Sequence, residues 1–374
     1  MTEKRIPKIA VATSSRADWG LLHPLVAALD QRGVKPVIIA TYAHLFPELG
    51  DTIQELVDDG FPPAMSVPAR RPIHEGMADT TTGFRKALSF LRPDLLIVLG
   101  DRVEMLGVAT AALLENVPLA HIAGGTVSEG AVDDKIRNAI SQMATFHFPE
   151  TEKGRRKLIL MGADPANVLT SGALGVFNAL SVEPMSSKDL ERSLDFELGE
   201  QFFLGTFHPA TVSTLTPLEQ MKAWIAALEK TLSDYPQLKL LLTFPNSDTD
   251  PDSLINLLYT LQTAYRDRVR VVPSLGRVRY LSAARHAAVV AGNSSSGIVE
   301  LPSLGVPVID VGPRQQGRER SAGVTHTSLD AEEFSAAVGQ ALRSGRHNLP
   351  NPYFREATPS LIAAFILEKL QFSR

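Results

Sequence analysis

Cysteine is absent from the sequence. Disulfides, thiolate metal sites and a cysteine nucleophile are therefore excluded. That usage fits the cytoplasm, which is the expected location. Long hydrophobic runs are missing too. No stretch reaches the roughly 18 apolar residues that read as a membrane span. The longest, such as Leu95 to Leu99, are the size of a strand. The residues ahead of the first apolar run lack the core of a secretory signal, so none is expected. Charge is nearly balanced, with a formal net charge of -4. No overall basic field points to nucleic acid, and an anionic ligand must be met by local donors. The G-x-G-x-x-G, Walker and G-x-S-x-G patterns do not occur, nor does any His/Asp/Glu spacing typical of a metal site. Neither a dinucleotide cofactor nor a metal is expected.

What is present is ordinary globular material. The 374 residues are 44% apolar and 21% charged, enough for two cores rather than one. Short apolar runs alternate with amphipathic segments. In the first half, Lys8–Thr13, Pro36–Thr41, Asp94–Leu99, Pro118–Ile122 and Phe146–Pro149 read as strands. Leu21–Asp30, Thr82–Leu91, Val103–Leu114 and Asp134–Ala144 read as helices. In the second half, Phe202–Phe207, Lys239–Phe244, Val269–Val272, Ala288–Ala291 and Val308–Val311 are strands. Pro217–Tyr235, Ser253–Tyr265, Val278–His286, Gly297–Leu304, Ala331–Ser344 and Ser360–Phe372 are helices. Uninterrupted Val/Ile/Leu strands between helices indicate parallel sheets covered on both faces. The polar, helix-favouring stretch Glu183–Gly199 is read as a linker. The expected division is an N-terminal domain over 1–182, a C-terminal domain over 200–350 and a terminal helical segment over 351–374. Two such α/β domains would face a cleft at the carboxyl ends of their strands.

The polar residues cluster where strands end. Ser14–Gly20 opens a helix, and its free N–H groups with Arg16 suit an anion; Ser15 or Asp18 also suits a plain N-cap. Gly100-Asp101-Arg102 follows the third strand, where an Asp is placed for acid/base work or for capping. His121-Ile122-Ala123-Gly124-Gly125-Thr126 follows the fourth, with Glu129, Asp133, Asp134 and Arg137 beyond. Paired glycines permit close backbone approach, and the acids can move protons or begin a helix. His208 and Asn246 end strands of the second half. Gly292-Asn293-Ser294-Ser295-Ser296-Gly297 is the strongest local signal, because hydroxyls and N–H groups at a helix start suit a diphosphate. Glu300, one turn on, could accept from ribose hydroxyls. Arg314 and Arg318 follow the last strand and could contact phosphate.

In this order the strings SRADWGLLHPL, LGDRVEMLGVATAALLENVPLAHIAGG, SEGAVDDKIRNAIS, TFHP, FPNSD, GNSSSGIVELPSLGVPVIDVG and RQQGR resemble the hydrolysing UDP-N-acetylglucosamine 2-epimerases, a group that includes enzymes of sialic and legionaminic acid biosynthesis. The resemblance runs from about residue 8 to 325. It implies the two-Rossmann glycosyltransferase-B fold, with C-terminal helices returning toward the first domain. It also implies a UDP-linked amino sugar as substrate, no metal, and by analogy a homodimer or larger homo-oligomer. Arg16 and the Ser294–Ser296 turn would hold the diphosphate, and Glu300 the ribose. His208 and Arg314 would line the nucleotide side, with Arg102, His121, Asn246 and Gly297 among the binding residues. Asp101 and Asp133 match acids near the reacting sugar, with Glu129 and His208 as further proton-transfer groups.

The implied chemistry removes the C2 proton as the nucleoside diphosphate leaves C1, giving a glycal. Water then adds, with a proton returned to the other face of C2. The sequence departs from the family pattern in two turns. Ala123 and Thr126 stand where relatives often carry titratable residues, and Pro313 replaces a common Asp. Three alternatives stay open on the same fold: a glycosyltransferase, a non-hydrolysing epimerase, or a protein that binds a nucleotide sugar without turnover.

Overall fold

The computed structural model describes residues 5–46, 52–127, 132–210, 213–245 and 251–372. These residues fall into two compact units. One lies within Met1–Val127, Val132–Phe177 and Arg355–Arg374, and the other is built from Asn178–Phe354.

The first unit runs β1 (Ile9–Thr13), α1 (Arg16–Asp30), β2 (Val37–Thr41), α2 (Ile53–Asp58), β3 (Met65–Val67), α3 (Ile73–Leu91), β4 (Leu95–Leu99), α4 (Val103–Leu114), β5 (Leu119–Ile122), α5 (Val132–Met143), β6 (Phe146–Phe148) and α6 (Glu152–Leu160). Its six strands are all parallel, in the order β3-β2-β1-β4-β5-β6. The central strands are apolar on both faces because helices cover both; every residue of β1 and β4 is buried. On one face Trp19, Leu22, Leu25 and Leu29 of α1 pack on Ile9, Val11 and Ile97; on the other Phe84, Leu88, Val108 and Ala112 pack on Ala10, Leu96 and Val98.

The chain leaves this unit through α7 (Leu174–Ser181) and continues with α8 (Ser187–Leu194). The stretch expected to be a linker is thus partly helical. Ser186 caps α8, and Leu190, Leu194 and Leu198 are buried with Leu281 and Ala284, so the segment belongs to the second core. An amphipathic face, not its polar composition, decides its place.

The second unit repeats the first's topology. After α8 come β7 (Phe202–Thr206), α9 (Pro217–Asp234), β8 (Lys239–Thr243), α10 (Pro251–Ala264), β9 (Val269–Val272), α11 (Gly276–His286), β10 (Val289–Gly292), α12 (Ser295–Val299), β11 (Val308–Val311), β12 (Val324–Thr327) and α13 (Ala331–Ser344). The parallel order is β12-β11-β10-β7-β8-β9. Numbered from its own first strand, this is the 3-2-1-4-5-6 winding of the first unit read from the other edge. Local signals place the helices: Pro217 sits in the first turn of α9, where Thr216 and Glu219 form a capping box.

The last helix, α14 (Thr358–Phe372), packs on α1, with Ile362, Ala363 and Ile366 buried in the first unit's core. No helix among the described residues is long and apolar enough to cross a membrane.

Candidate functional site

In a doubly wound sheet the crevice lies where the winding reverses. In the first unit that point is between β1 and β4, and the residues following them are Ser14–Asp18 and Gly100–Arg102. Ser15 is the N-cap of α1 and accepts from the Asp18 N–H at 3.3 Å. Asp18 is buried and accepts from Ser14 Oγ at 2.5 Å. Burial raises its pKa, with Arg102 opposing. Arg102 donates to buried Glu104 at 2.5 Å and lies 3.9 Å from Asp18. Burial disfavours its charge, but Glu104 and Asp18 outweigh that and raise its pKa. Arg16 is exposed and paired with Glu55 at 2.9 Å.

Asp101 is held differently. Arg137, buried on α5, donates one nitrogen to Asp101 and another to the Thr126 carbonyl at 2.8 Å. Asp133 and Asp134 lie in the first turn of α5. Asp133 is exposed, while Asp134 accepts from Asn138 at 3.0 Å and Lys157 at 3.4 Å.

His121, expected among the binding residues, is corrected by its surroundings. It is fully buried in β5, with Nε2 2.7 Å from the Gly100 carbonyl and Nδ1 3.0 Å from Ser141 Oγ. Burial lowers its pKa to about 4, so the ring is neutral; Nε2–H donates to Gly100 and Nδ1 accepts from Ser141. Both nitrogens are spent inside the fold. The ring braces the turn that carries Asp101. Beyond it, Ala123 has φ +62° and Gly125 φ +77°. A Cβ on Gly125 would lie 2.5 Å from the Gly154 carbonyl and one on Gly124 2.9 Å from His121 Nδ1, so Gly125 serves close packing on α6 and Gly124 close packing on the His121 ring.

In the second unit the winding reverses between β7 and β10. Asn293, part of the Gly292–Gly297 turn but not among the expected site residues, joins three turns there. Its side chain accepts from the His208 N–H and donates to the His208 carbonyl, both at 2.7 Å. Its own carbonyl accepts from Arg314 at 3.0 Å and from Gln315 at 2.8 Å. Gly292 makes the close approach: a Cβ there would sit 1.8 Å from the Thr206 carbonyl. His208 is buried, and burial with the nearby Arg314 charge lowers its pKa to about 4. Ser294 precedes α12, Ser295 is exposed in its first turn, and Ser296 bonds Tyr280. Gly297 is buried and Glu300 ends the helix, partly buried. Arg314 is exposed.

The structure thus groups Arg16, Asp101, Arg102 and Asp133 at the strand ends of one unit, and His208, Ser294–Gly297, Glu300 and Arg314 at those of the other. Glu129 and Asn246 lie outside the described residues. Sequence reasoning did not choose Arg137, Asn293 or Glu150. Arg137 had one usable signal, its place one turn after Asp134 on an amphipathic helix. No group of three or more His, Asp or Glu side chains among the described residues is arranged to hold a metal.

Comparison with known proteins follows the same lines. The family model described as UDP-N-acetylglucosamine 2-epimerase matches residues 27–367. A Campylobacter jejuni GDP/UDP-N,N'-diacetylbacillosamine 2-epimerase (hydrolyzing) is 31% identical over 329 residues, covering 86% of this chain and 85% of that protein. A UDP-N,N'-diacetylbacillosamine 2-epimerase (hydrolyzing) from Legionella pneumophila is 30% identical, covering 93% and 92%. In structure, S. aureus MnaA solved with UDP superposes with a TM-score of 0.81 at 17% identity, covering 98% of this chain and 97% of that one, which shows the shared fold.

Proposed function

Since the chain belongs to the UDP-N-acetylglucosamine 2-epimerase family, we propose that it is a hydrolysing 2-epimerase acting on a UDP-linked N-acetylated amino sugar. Relatives named as hydrolysing enzymes, about 30% identical over most of their length, favour hydrolysis over return of the nucleotide sugar. The observation that carries the chemistry is Asp101. It follows β4 at the reversal point of the first sheet, its carboxylate held by Arg137 and the carbonyl of the preceding Gly100 held by His121.

In this reading Asp101 takes the C2 proton while the C1–O bond breaks and its electron pair leaves with UDP, forming the glycal. Water then bonds to C1, and C2 regains a proton on its other face from Asp133, exposed at the start of α5. The product is a free manno-configured sugar. Arg16, Arg102 and Arg314, with the N–H groups of the Ser294–Ser296 turn, stabilise charge growing on the leaving diphosphate. Glu300 accepts from the ribose, and neutral His208 lines the nucleotide side. The enzyme works in the cytoplasm and needs no metal for these steps.

The test is incubation in deuterated water with UDP-N-acetylglucosamine and with its 2,4-diacetamido-6-deoxy analogue, followed by NMR. Free manno-configured sugar with deuterium at C2, plus UDP, is the expected result, and the faster substrate identifies the sugar. Deuterated nucleotide sugar without UDP release would replace hydrolysis by the non-hydrolysing reaction. No exchange and no release with either would overturn the proposal.

A further inference from the structure

The first unit holds a carboxylate that the reading above leaves unused. Glu150 follows β6, and Thr126 follows the neighbouring β5. The two strands pair in parallel, His121 opposite His147 and Ile122 opposite Phe148, so both residues emerge at the same edge of the sheet. The turn containing Gly125 lies against Gly154 in the first turn of α6. That contact brings Thr126 back over the residue before the α6 cap, Thr151. Thr126 Oγ1 donates to Glu150 Oε2 at 3.1 Å. The Thr126 carbonyl accepts from Arg137, whose other nitrogen holds Asp101. Glu150 is therefore joined to Asp101 through one residue and one guanidinium.

Its partner distinguishes it from most acids at this edge. Asp18 and Glu104 face Arg102, Asp101 faces Arg137, and Asp134 faces Lys157. Glu150 takes its hydrogen bond from a neutral hydroxyl and is half-buried, with no cation paired to it among the described residues. One oxygen is oriented by Thr126, leaving a directed lone pair for a proton.

Hydrolytic epimerisation needs more than two proton transfers at C2. The water that adds to C1 must also lose a proton. We propose that Glu150 is the catalytic base for that water and that Thr126 positions it; this rests on the hydrolytic reading above. The water O–H bond breaks, its oxygen bonds to C1, its proton passes to Glu150, and the former double-bond electrons take a proton at C2.

The experiment is NMR product analysis with the wild type and with Glu150→Gln and Thr126→Val, on whichever nucleotide sugar the wild type turns over. General-base catalysis contributes about 10²-fold or more, so Glu150→Gln should slow hydration by that factor. Elimination is spared, so UDP appears first and the glycal accumulates. Thr126→Val keeps the carboxylate and should show a smaller hydration defect with an unchanged KM, and Glu150→Asp should recover part of the loss. UDP binding by calorimetry checks that each variant is folded. A folded Glu150→Gln enzyme with wild-type kcat and no glycal overturns the proposal. So does equal loss of UDP release and hydration. If Glu150→Gln does not fold, Thr126→Val decides: wild-type hydration overturns the proposal. A wild type that returns nucleotide sugar without UDP release would instead sink the hydrolytic reading.

Discussion

Acidification should unfold this protein through its imidazoles before its carboxylates are fully titrated. Burial lowers the pKa of His44, His121, His147 and His208 from 6.5 to about 4 each. The native state keeps these rings neutral, whereas the unfolded chain protonates them near 6.5. The stability they secure is complete above that value and is lost as pH falls toward 4. At about 1.4 kcal/mol per pH unit over that interval, each ring accounts for about 3 kcal/mol. Four together reach the order of 10 kcal/mol, comparable with the whole stability of a typical domain. His44, His121 and His147 belong to the first unit and His208 to the second, so the first should fail earlier. The assay is urea unfolding followed by circular dichroism at steps between about pH 7.5 and 4.5, where the slope of free energy against pH counts protons taken up. His121→Gln can retain a donor to the Gly100 carbonyl without an imidazole, and should lower that count by about one. Stability that is flat across this range, or a slope that His121→Gln leaves unchanged, would refute the reasoning.

Three further outcomes follow from the strand ends. Asp101→Asn should abolish turnover while sparing UDP affinity, and Glu300→Ala should weaken UDP binding; kcat alongside calorimetry separates them, and near-normal kcat in Asp101→Asn would remove that residue from its role. Gly292→Ala would drive a Cβ into the Thr206 carbonyl and should cost roughly 3 kcal/mol or more of stability, read as a lowered urea midpoint.

The central strands were legible because each is an unbroken apolar run, buried along its length. Of the four edge strands, β6 and β9 were read from the sequence, but β3 and β12 were not. β3 has three residues, and β12 reads Val-Thr-His-Thr with two of its four exposed. A strand with one neighbour and little burial carries little apolar signal. The start of α3 was missed for a related reason. Its first turns, Ile73–Thr81, are polar and glycine-containing, and they pack closely on α4 through Gly107, where a Cβ would lie 3.1 Å from the Met77 carbonyl. The candidate site residues stood out as polar groups at strand ends, and their partners did not. Asp101 meets Arg137 across 36 positions, and His208 meets Asn293 across 85. Such pairings are written in the winding of the sheet and leave no local pattern. His121 was misread because a His after apolar residues looks the same in sequence whether its ring faces a ligand or a carbonyl.

The return of α14 to the first unit bears on how the chain matures at the ribosome. The chain leaves that unit after Phe177 and comes back at Arg355. Until Ile362, Ala363 and Ile366 have been made, the apolar side of α1 lacks one of its walls. Yet the whole second unit has by then been synthesised. The unit that begins first therefore closes last, and loss of the final 17 residues, Thr358 onward, would injure the amino-terminal half of the protein rather than the half next to the cut.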